Sequence, residues 1–172
     1  MRKNIIMIVN PISGGVDKSE FIVATAHFAT AENLHFILYI TTGADDVSKI
    51  KLLYDFHKPE RIIIAGGDGT IKMVAEAMEE QDVILGILPA GSANGLAVDL
   101  NLPSSLDENL KIAFCHDYME MDMISKKKKK SLHLSDLGLN AELIKNYEKG
   151  SVRGKLGYAM QAFSTLLDLS DP

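Results

Sequence analysis

Ile62-Ile63-Ile64-Ala65-Gly66-Gly67-Asp68-Gly69-Thr70 is the stretch from which the rest of this sequence is read. Arg61 to Ala65 is short, apolar and β-branched, the pattern of a strand buried on both faces. Gly66, Gly67 and Gly69 then let the main chain turn sharply and let a ligand approach it closely. Thr70 is expected to be the N-cap of the helix that follows. Unpaired amides at such a helix start, together with its dipole, favour a phosphate in the turn. Asp68 would repel that phosphate unless a cation or a proton lies between them, so it points to Mg²⁺ or a proton relay. The plainer alternative is a tight turn carrying a solvated acid.

Working outward, Asn4 to Val9 is another uncharged apolar run, as in a central strand covered on both sides. It ends at Asn10-Pro11-Ile12-Ser13-Gly14-Gly15, where Pro11 stops the ladder and Ser13 and Gly14 offer a hydroxyl and open amides. Lys18 to Ala31 has helical spacing and Leu34 to Ile40 returns to a strand, which makes one βαβ unit. Thr42 follows that strand, either as a ligand contact or as a cap for a helix over Asp45 to Phe56. A helix from Ile71 to the acidic Glu79 and Glu80 leads to a strand over Val83 to Leu88. That strand runs into a third turn of glycine and hydroxyl residues, Pro89-Ala90-Gly91-Ser92-Ala93-Asn94-Gly95. Right-handed crossovers would bring all three turns to one edge of a parallel sheet, where α/β proteins place their ligands.

Composition limits the alternatives. A chain of 172 residues, 47% hydrophobic and 24% charged, can bury a substantial core. Its net charge of -5 argues against nucleic acid as a general partner. The single Cys115 cannot form an internal disulfide, and no early apolar run has the length and flanks of a signal peptide or membrane span. A reducing, cytoplasmic setting is therefore expected. His27, His35, His57, His116 and His133 are scattered, so no metal-ligand cluster is indicated.

The three turns, in this order, resemble the diacylglycerol kinase catalytic domain family, which includes bacterial lipid kinases and sphingosine kinases. Gly-Gly-Asp-Gly also occurs in NAD kinases and phosphofructokinases, but Asn10-Pro11-x-Ser13-Gly14 and Pro89-x-Gly91-Ser92-x-Asn94 favour the lipid branch. The resemblance implies an α/β fold: a three-layer Rossmann-like nucleotide-binding domain with a parallel sheet over residues 1–120. The beginning of a β-rich second domain with a terminal helix would follow over residues 121–172. It implies an ATP site with Mg²⁺, to which the first turn brings Asn10, Pro11, Ser13 and Gly14 and the second strand brings Thr42. The central turn would add Gly67, Asp68, Gly69, Thr70 and Lys72, and the third Gly91, Ser92 and Asn94. Many diacylglycerol kinases have Thr and then Asn-Asp where this chain has Ser92 and then Asn94-Gly95; sphingosine kinases also use Ser and lack that acid.

Farther along, Leu106 to Phe114 reads as a helix and Tyr118 to Ile124 as a strand with alternate acids. Lys126-Lys127-Lys128-Lys129-Lys130 is placed at a hairpin turn, either as a patch for anionic lipid at the inner membrane face or as a solubilising edge. Leu132 to Leu143 resembles the family's next strand, with Gly138 and Ala141 matching and His133, Asp136 and Asn140 departing from it. A helix is expected from Gly154 through Leu167. The family's later Asp-Gly-Glu motif, thought to supply the catalytic base, does not occur among these residues, which leaves Asp68 as the candidate. The activity implied is ATP-dependent transfer of a γ-phosphoryl group to a lipid hydroxyl, on diacylglycerol or a sphingoid base. The alternative is a non-catalytic nucleotide-binding module. An incomplete β region and an unpartnered last helix would expose apolar surface and lead to homo-oligomers.

Overall fold

The two uninterrupted apolar runs become the two central strands of one sheet. The computed structural model describes residues 3–115, 117–126 and 129–131. Strands β1 (Asn4–Val9), β2 (His35–Ile40), β3 (Arg61–Gly66) and β4 (Ile84–Pro89) run parallel in the order β2-β1-β3-β4. Register is set by pairs such as Ile8 with Tyr39 and with Ile64, and Ile64 with Ile87. All six residues of β3 are buried, and so are five of the six in β1.

Because side chains alternate across a strand, each central strand feeds two cores. Ile6, Ile8, Ile62 and Ile64 pack with Ile50 and Tyr54 of α2 (Asp46–His57), Ile71 and Val74 of α3 (Asp68–Ala77) and Leu96 of α4 (Gly95–Asp99). Met7, Val9, Ile63 and Ala65 pack instead with Phe21 and Phe28 of α1 (Ser19–Ala31) and Leu110 and Ala113 of α5 (Leu106–Ala113). The result is the expected three-layer α/β arrangement.

Helix α5 is drawn onto the sheet at two points. A Cβ on Gly86 of β4 would lie 2.9 Å from the Cβ of Ala113, so only a glycine there admits the helix so closely. Arg61, buried at the start of β3, donates to the carbonyls of Ala113 and Cys115 at 2.7 Å each. The helix start is capped by Ser105, whose hydroxyl accepts from the Glu108 amide.

The expected strand over Tyr118 to Ile124 is corrected. Residues 117–123 lie outside any strand, with Tyr118 and Met119 exposed, and strand structure begins only at β5 (Ile124–Lys126). Alternation supplies a strand face but no partner to bond it, and among the described residues only β6 (Lys129–Ser131) pairs there, antiparallel to β5. Lys126 of the lysine run thus pairs antiparallel with Lys129, and Ser125 with Lys130, as expected for strands flanking a hairpin. The strand from Leu132, the helix from Gly154 and the rest of the expected second domain beyond Ser131 lie outside the described residues.

Candidate active site

Strand order reverses between β1 and β3, since β1 leads outward to β2 while β3 leads the other way to β4. The gap beyond the carboxyl ends of such a pair is the usual ligand crevice of an open α/β sheet. Asn10 joins its two sides. Its amide donates to Ala65 O at 3.0 Å, its Nδ2 donates to Thr70 Oγ1 at 3.1 Å, and its Oδ1 accepts from the Ile12 amide at 3.2 Å.

Beyond Asn10 and the exposed Pro11, a 3-10 turn over Ser13–Gly15 folds toward the third turn. Ser13 Oγ donates to Ala90 O at 3.0 Å. Gly14 has φ +63°, and a Cβ there would stand 2.8 Å from Ala90 O, so both conformation and space call for glycine. Lys18 holds the loop from below, its buried ammonium donating to the carbonyls of Ser13 and Val16 at 2.6 and 2.5 Å. Burial pulls the Lys18 ammonium below its ordinary pKa, and the charge of Asp17 partly restores it.

Thr70 is not the N-cap that its position predicts. Helix α3 starts at Asp68 with Gly67 in the capping position, and Thr70 lies buried in the first turn, accepting from Asn10. A Cβ on Gly66 would fall 2.6 Å from Thr70 Cβ, so the threonine occupies the space that a side chain at 66 would need. Gly67 and Gly91 then meet backbone to backbone: a Cβ on Gly67 would lie 3.0 Å from the Gly91 Cα, and one on Gly91 would overlap the Gly67 Cα. Asn94, itself left-handed at φ 53°, closes the third turn by accepting from the Gly91 amide at 2.7 Å and donating to its carbonyl at 3.1 Å. Ser92 lies half-buried in the same bend.

Asp68 reaches across this junction. Its Oδ2 accepts from the Gly95 amide and its Oδ1 from the Leu96 amide, both at 2.9 Å, so the acid of the second turn satisfies the first amides of α4. Gly69, by contrast, faces open space: nothing lies within 4 Å of a Cβ placed there.

The remaining expected residues are placed differently. Thr42 does not cap α2, which starts at Asp46. Instead Asp46 turns back and accepts from the amides of Thr42 and Gly43 at 2.9 and 2.8 Å and from the Tyr39 hydroxyl at 2.6 Å. Burial raises the Asp46 carboxyl, but the Thr42 amide, the Tyr39 hydroxyl and the Gly43 amide outweigh it and leave its pKa below the ordinary carboxylate value. Burial and the Asp46 carboxylate push Tyr39 up to about 12. Lys72 is half-exposed on α3, with its ammonium 3.9 Å from Glu76 on the next turn of the same helix. Sequence reasoning missed Lys18, Tyr39, Asp46 and helix α4. Only Asp46 carried a signal, an acid in the first turn of a helix just after a polar turn.

Among the described residues no group of three or more His, Cys, Asp or Glu side chains could hold a metal ion, and no helix is long and apolar enough to cross a membrane. A Mg²⁺ ion that keeps its waters and is bound chiefly by phosphates needs only one or two carboxylates. Asp68, with lone pairs beyond the two given to α4, fits that role.

A three-layer parallel α/β domain with three glycine turns locked together at its switch point places this chain in the Rossmann-like class. Residues 4–126, well over half of the chain, match the family model for the diacylglycerol kinase catalytic domain, and the chain belongs to that family of lipid kinases. It is 44% identical over 66 residues to "Probable lipid kinase YegS" of Escherichia coli O9:H4 (strain HS), a match covering 36% of this chain and 22% of that protein. The protein of the same name from Salmonella arizonae is 43% identical over 68 residues, covering 37% and 23%. A diacylglycerol kinase of Bacillus anthracis str. Sterne shares the fold, with TM-score 0.61 and 22% identity over 74% of this chain and 47% of that one. The chain thus matches less than half the length of each of these relatives.

Proposed function

We propose that this chain forms the nucleotide-binding part of an ATP-dependent lipid kinase that transfers a γ-phosphoryl group to a lipid hydroxyl. The observation that carries the reading is the backbone contact between Gly67 and Gly91, which joins the second and third turns beside the first at the switch point. In this reading Asn10, Pro11, Ser13 and Gly14 form one wall of the ATP cleft, and Thr42 stands at its β2 side. Gly67, Gly69, Thr70 and Lys72 line the second turn, while Gly91, Ser92 and Asn94 line the third. Amides at the start of α3 face the phosphates. Mg²⁺, when bound, neutralises charge that develops on the transferring group. Asp68 is the residue that would either help hold the ion or accept the lipid hydroxyl proton.

The lipid carries a free hydroxyl, on diacylglycerol or a sphingoid base. The basic run Lys126 to Lys130, whose Lys126 and Lys129 pair between β5 and β6, would draw the protein to anionic lipid at the inner face of the membrane from a cytoplasmic location, each basic residue near the surface contributing about 1 kcal/mol.

A second reading, a nucleotide-binding module without catalysis, is favoured by one observation: both Asp68 oxygens are engaged by α4 amides. The test is lipid-dependent release of ADP from Mg²⁺-ATP, with vesicles carrying diacylglycerol or a sphingoid base. Release that depends on one lipid and is abolished by Asp68→Asn supports the kinase. Nucleotide binding with no release on either lipid supports the module.

A further inference from the structure

The turn after β2 holds a polar network that the three glycine turns do not account for. Thr41 donates its amide to Val9 O at 2.8 Å, and β1 and β2 are in register to their ends. Thr42 therefore leaves the sheet beside Asn10, at the same edge as the switch point. Asp46 occupies the amides of both Thr42 and Gly43, so this turn cannot offer those two donors to an anion. The single O–H of Thr42 is likewise turned inward, toward Ala44 O at 3.2 Å and Asp46 Oδ1 at 3.3 Å, so what the turn presents to an anion is the ammonium of Lys49.

Lys49, half-buried on the first turn of α2, lies across the loop with Nζ 3.2 Å from Thr42 Oγ1 and 2.9 Å from Ala44 O. Those two acceptors use two of its three N–H groups, and the charge is not cancelled by either, since both are neutral. The other lysines near this edge are differently engaged. Lys18 is buried against the carbonyls of Ser13 and Val16, and Lys72 is near Glu76. Asp68 adds negative charge to the crevice, so a di- or triphosphate needs a cation from the protein as well as from any metal.

We propose that Lys49 contacts the polyphosphate of a nucleoside di- or triphosphate, and that Asp46 is the positioning residue that fixes the turn on which Lys49 rests. The proposal deepens the nucleotide reading above and rests on it. Asp46 acts without touching the ligand. It pins Tyr39, Thr42 and Gly43 into one shape, and that shape sets where the Thr42 hydroxyl and the Ala44 carbonyl hold the ammonium.

Calorimetric titration of the 172-residue chain with Mg²⁺-ATP, Mg²⁺-ADP, AMP and adenosine tests this, using Lys49→Met, Lys49→Arg and Asp46→Asn. Loss of a charge-assisted hydrogen bond predicts that Lys49→Met weakens ATP and ADP about tenfold or more. Adenosine affinity stays unchanged, and Lys49→Arg recovers most of the loss. The salt dependence of ATP binding also becomes shallower in Lys49→Met, which a purely structural role would not cause. Asp46→Asn shifts the same two ligands in the same direction by less. If Asp46→Asn fails to fold, the two Lys49 variants decide. Wild-type binding of ATP that Lys49→Met leaves unchanged overturns the proposal while the nucleotide reading stands. A folded wild type that binds none of the four ligands overturns both.

Discussion

The carboxylate of Asp68 stands 2.9 Å from the amide of Gly95, joining the second turn to the third across 27 residues of sequence. Its other oxygen accepts from Leu96 at the same distance. The residue that motif and charge mark for metal or proton chemistry is therefore also the anchor of a five-residue helix, α4. Any change in its charge or position is transmitted to the third turn, because Asn94 at the start of that helix also bonds both backbone groups of Gly91.

Asp68→Ala is expected to lower stability by about 1–3 kcal/mol, the range for losing a charged acceptor from helix-start amides. Asp68→Asn keeps one acceptor oxygen and should lose less. Urea unfolding of the three proteins measures the order. Equal midpoints for wild type and Asp68→Ala would show that α4 does not depend on this anchor.

Two glycines should respond in opposite ways. Gly91→Ala places a methyl group onto the Gly67 Cα and 2.8 Å from Asn94 Oδ1, an overpacking that costs about 1–3 kcal/mol. Gly69→Ala adds its methyl in open space within α3 and should stabilise by about 0.5–1 kcal/mol through the glycine-to-alanine difference in a helix. Because the proposed nucleotide lies in that open space, Gly69→Ala should gain in melting temperature while losing ATP affinity. A gain in both would move the phosphates elsewhere.

Tyr39 gives a pH signature. Its folded pKa of about 12 lies above the ordinary 10, raised first by burial and then by its bond to Asp46, so the neutral, buried and bonded phenol contributes stability that is full below pH 10 and lost as pH rises toward 12. Spectrophotometric titration should show a late-ionising phenol that is missing in Tyr39→Phe, and the stability difference between the two proteins should shrink across that window. Asp46 has the opposite sign: its pKa is depressed, so its contribution is present above the ordinary carboxylate value and fades as pH falls below it. A Tyr39 that ionises at the ordinary phenol value would mean that neither its burial nor its bond to Asp46 persists in solution.

Arg61→Met should cost about 2–3 kcal/mol, since it removes a buried charged donor from two carbonyls. Arg61→Lys should recover only part of this, because one ammonium cannot span the Ala113 and Cys115 oxygens as the guanidinium fork does. Chemical unfolding checks both, and full recovery by lysine would show that only the charge matters there.

What could be read in advance divides along a physical line. Ile5 to Val9 and Ile62 to Ala65 are buried on both faces, and that condition writes itself into consecutive residues, so both central strands were legible. The three turns were legible because close approach and left-handed backbone restrict residue type at Gly14, Gly67, Gly91 and Asn94. Thr70 was misplaced because its role depends on Gly66 behind it and on Asn10, 60 residues away. Lys18 reads as an ordinary helix-start lysine, and nothing local announces that two loop carbonyls will bury it. Tyr118 to Met123 alternates like a strand, but pairing needs a neighbour that alternation does not supply.

The most direct test of the account is calorimetric titration of this chain with Mg²⁺-ATP, beside Gly67→Val, whose side chain would press on the Gly91 Cα 3.0 Å from its own Cβ. The account predicts saturable one-to-one binding by the wild type and its loss in the variant, with circular dichroism showing that both proteins are folded. A folded wild type that shows no saturation, or a Gly67→Val protein that binds equally well, would contradict the claim that the three turns form a phosphate cradle.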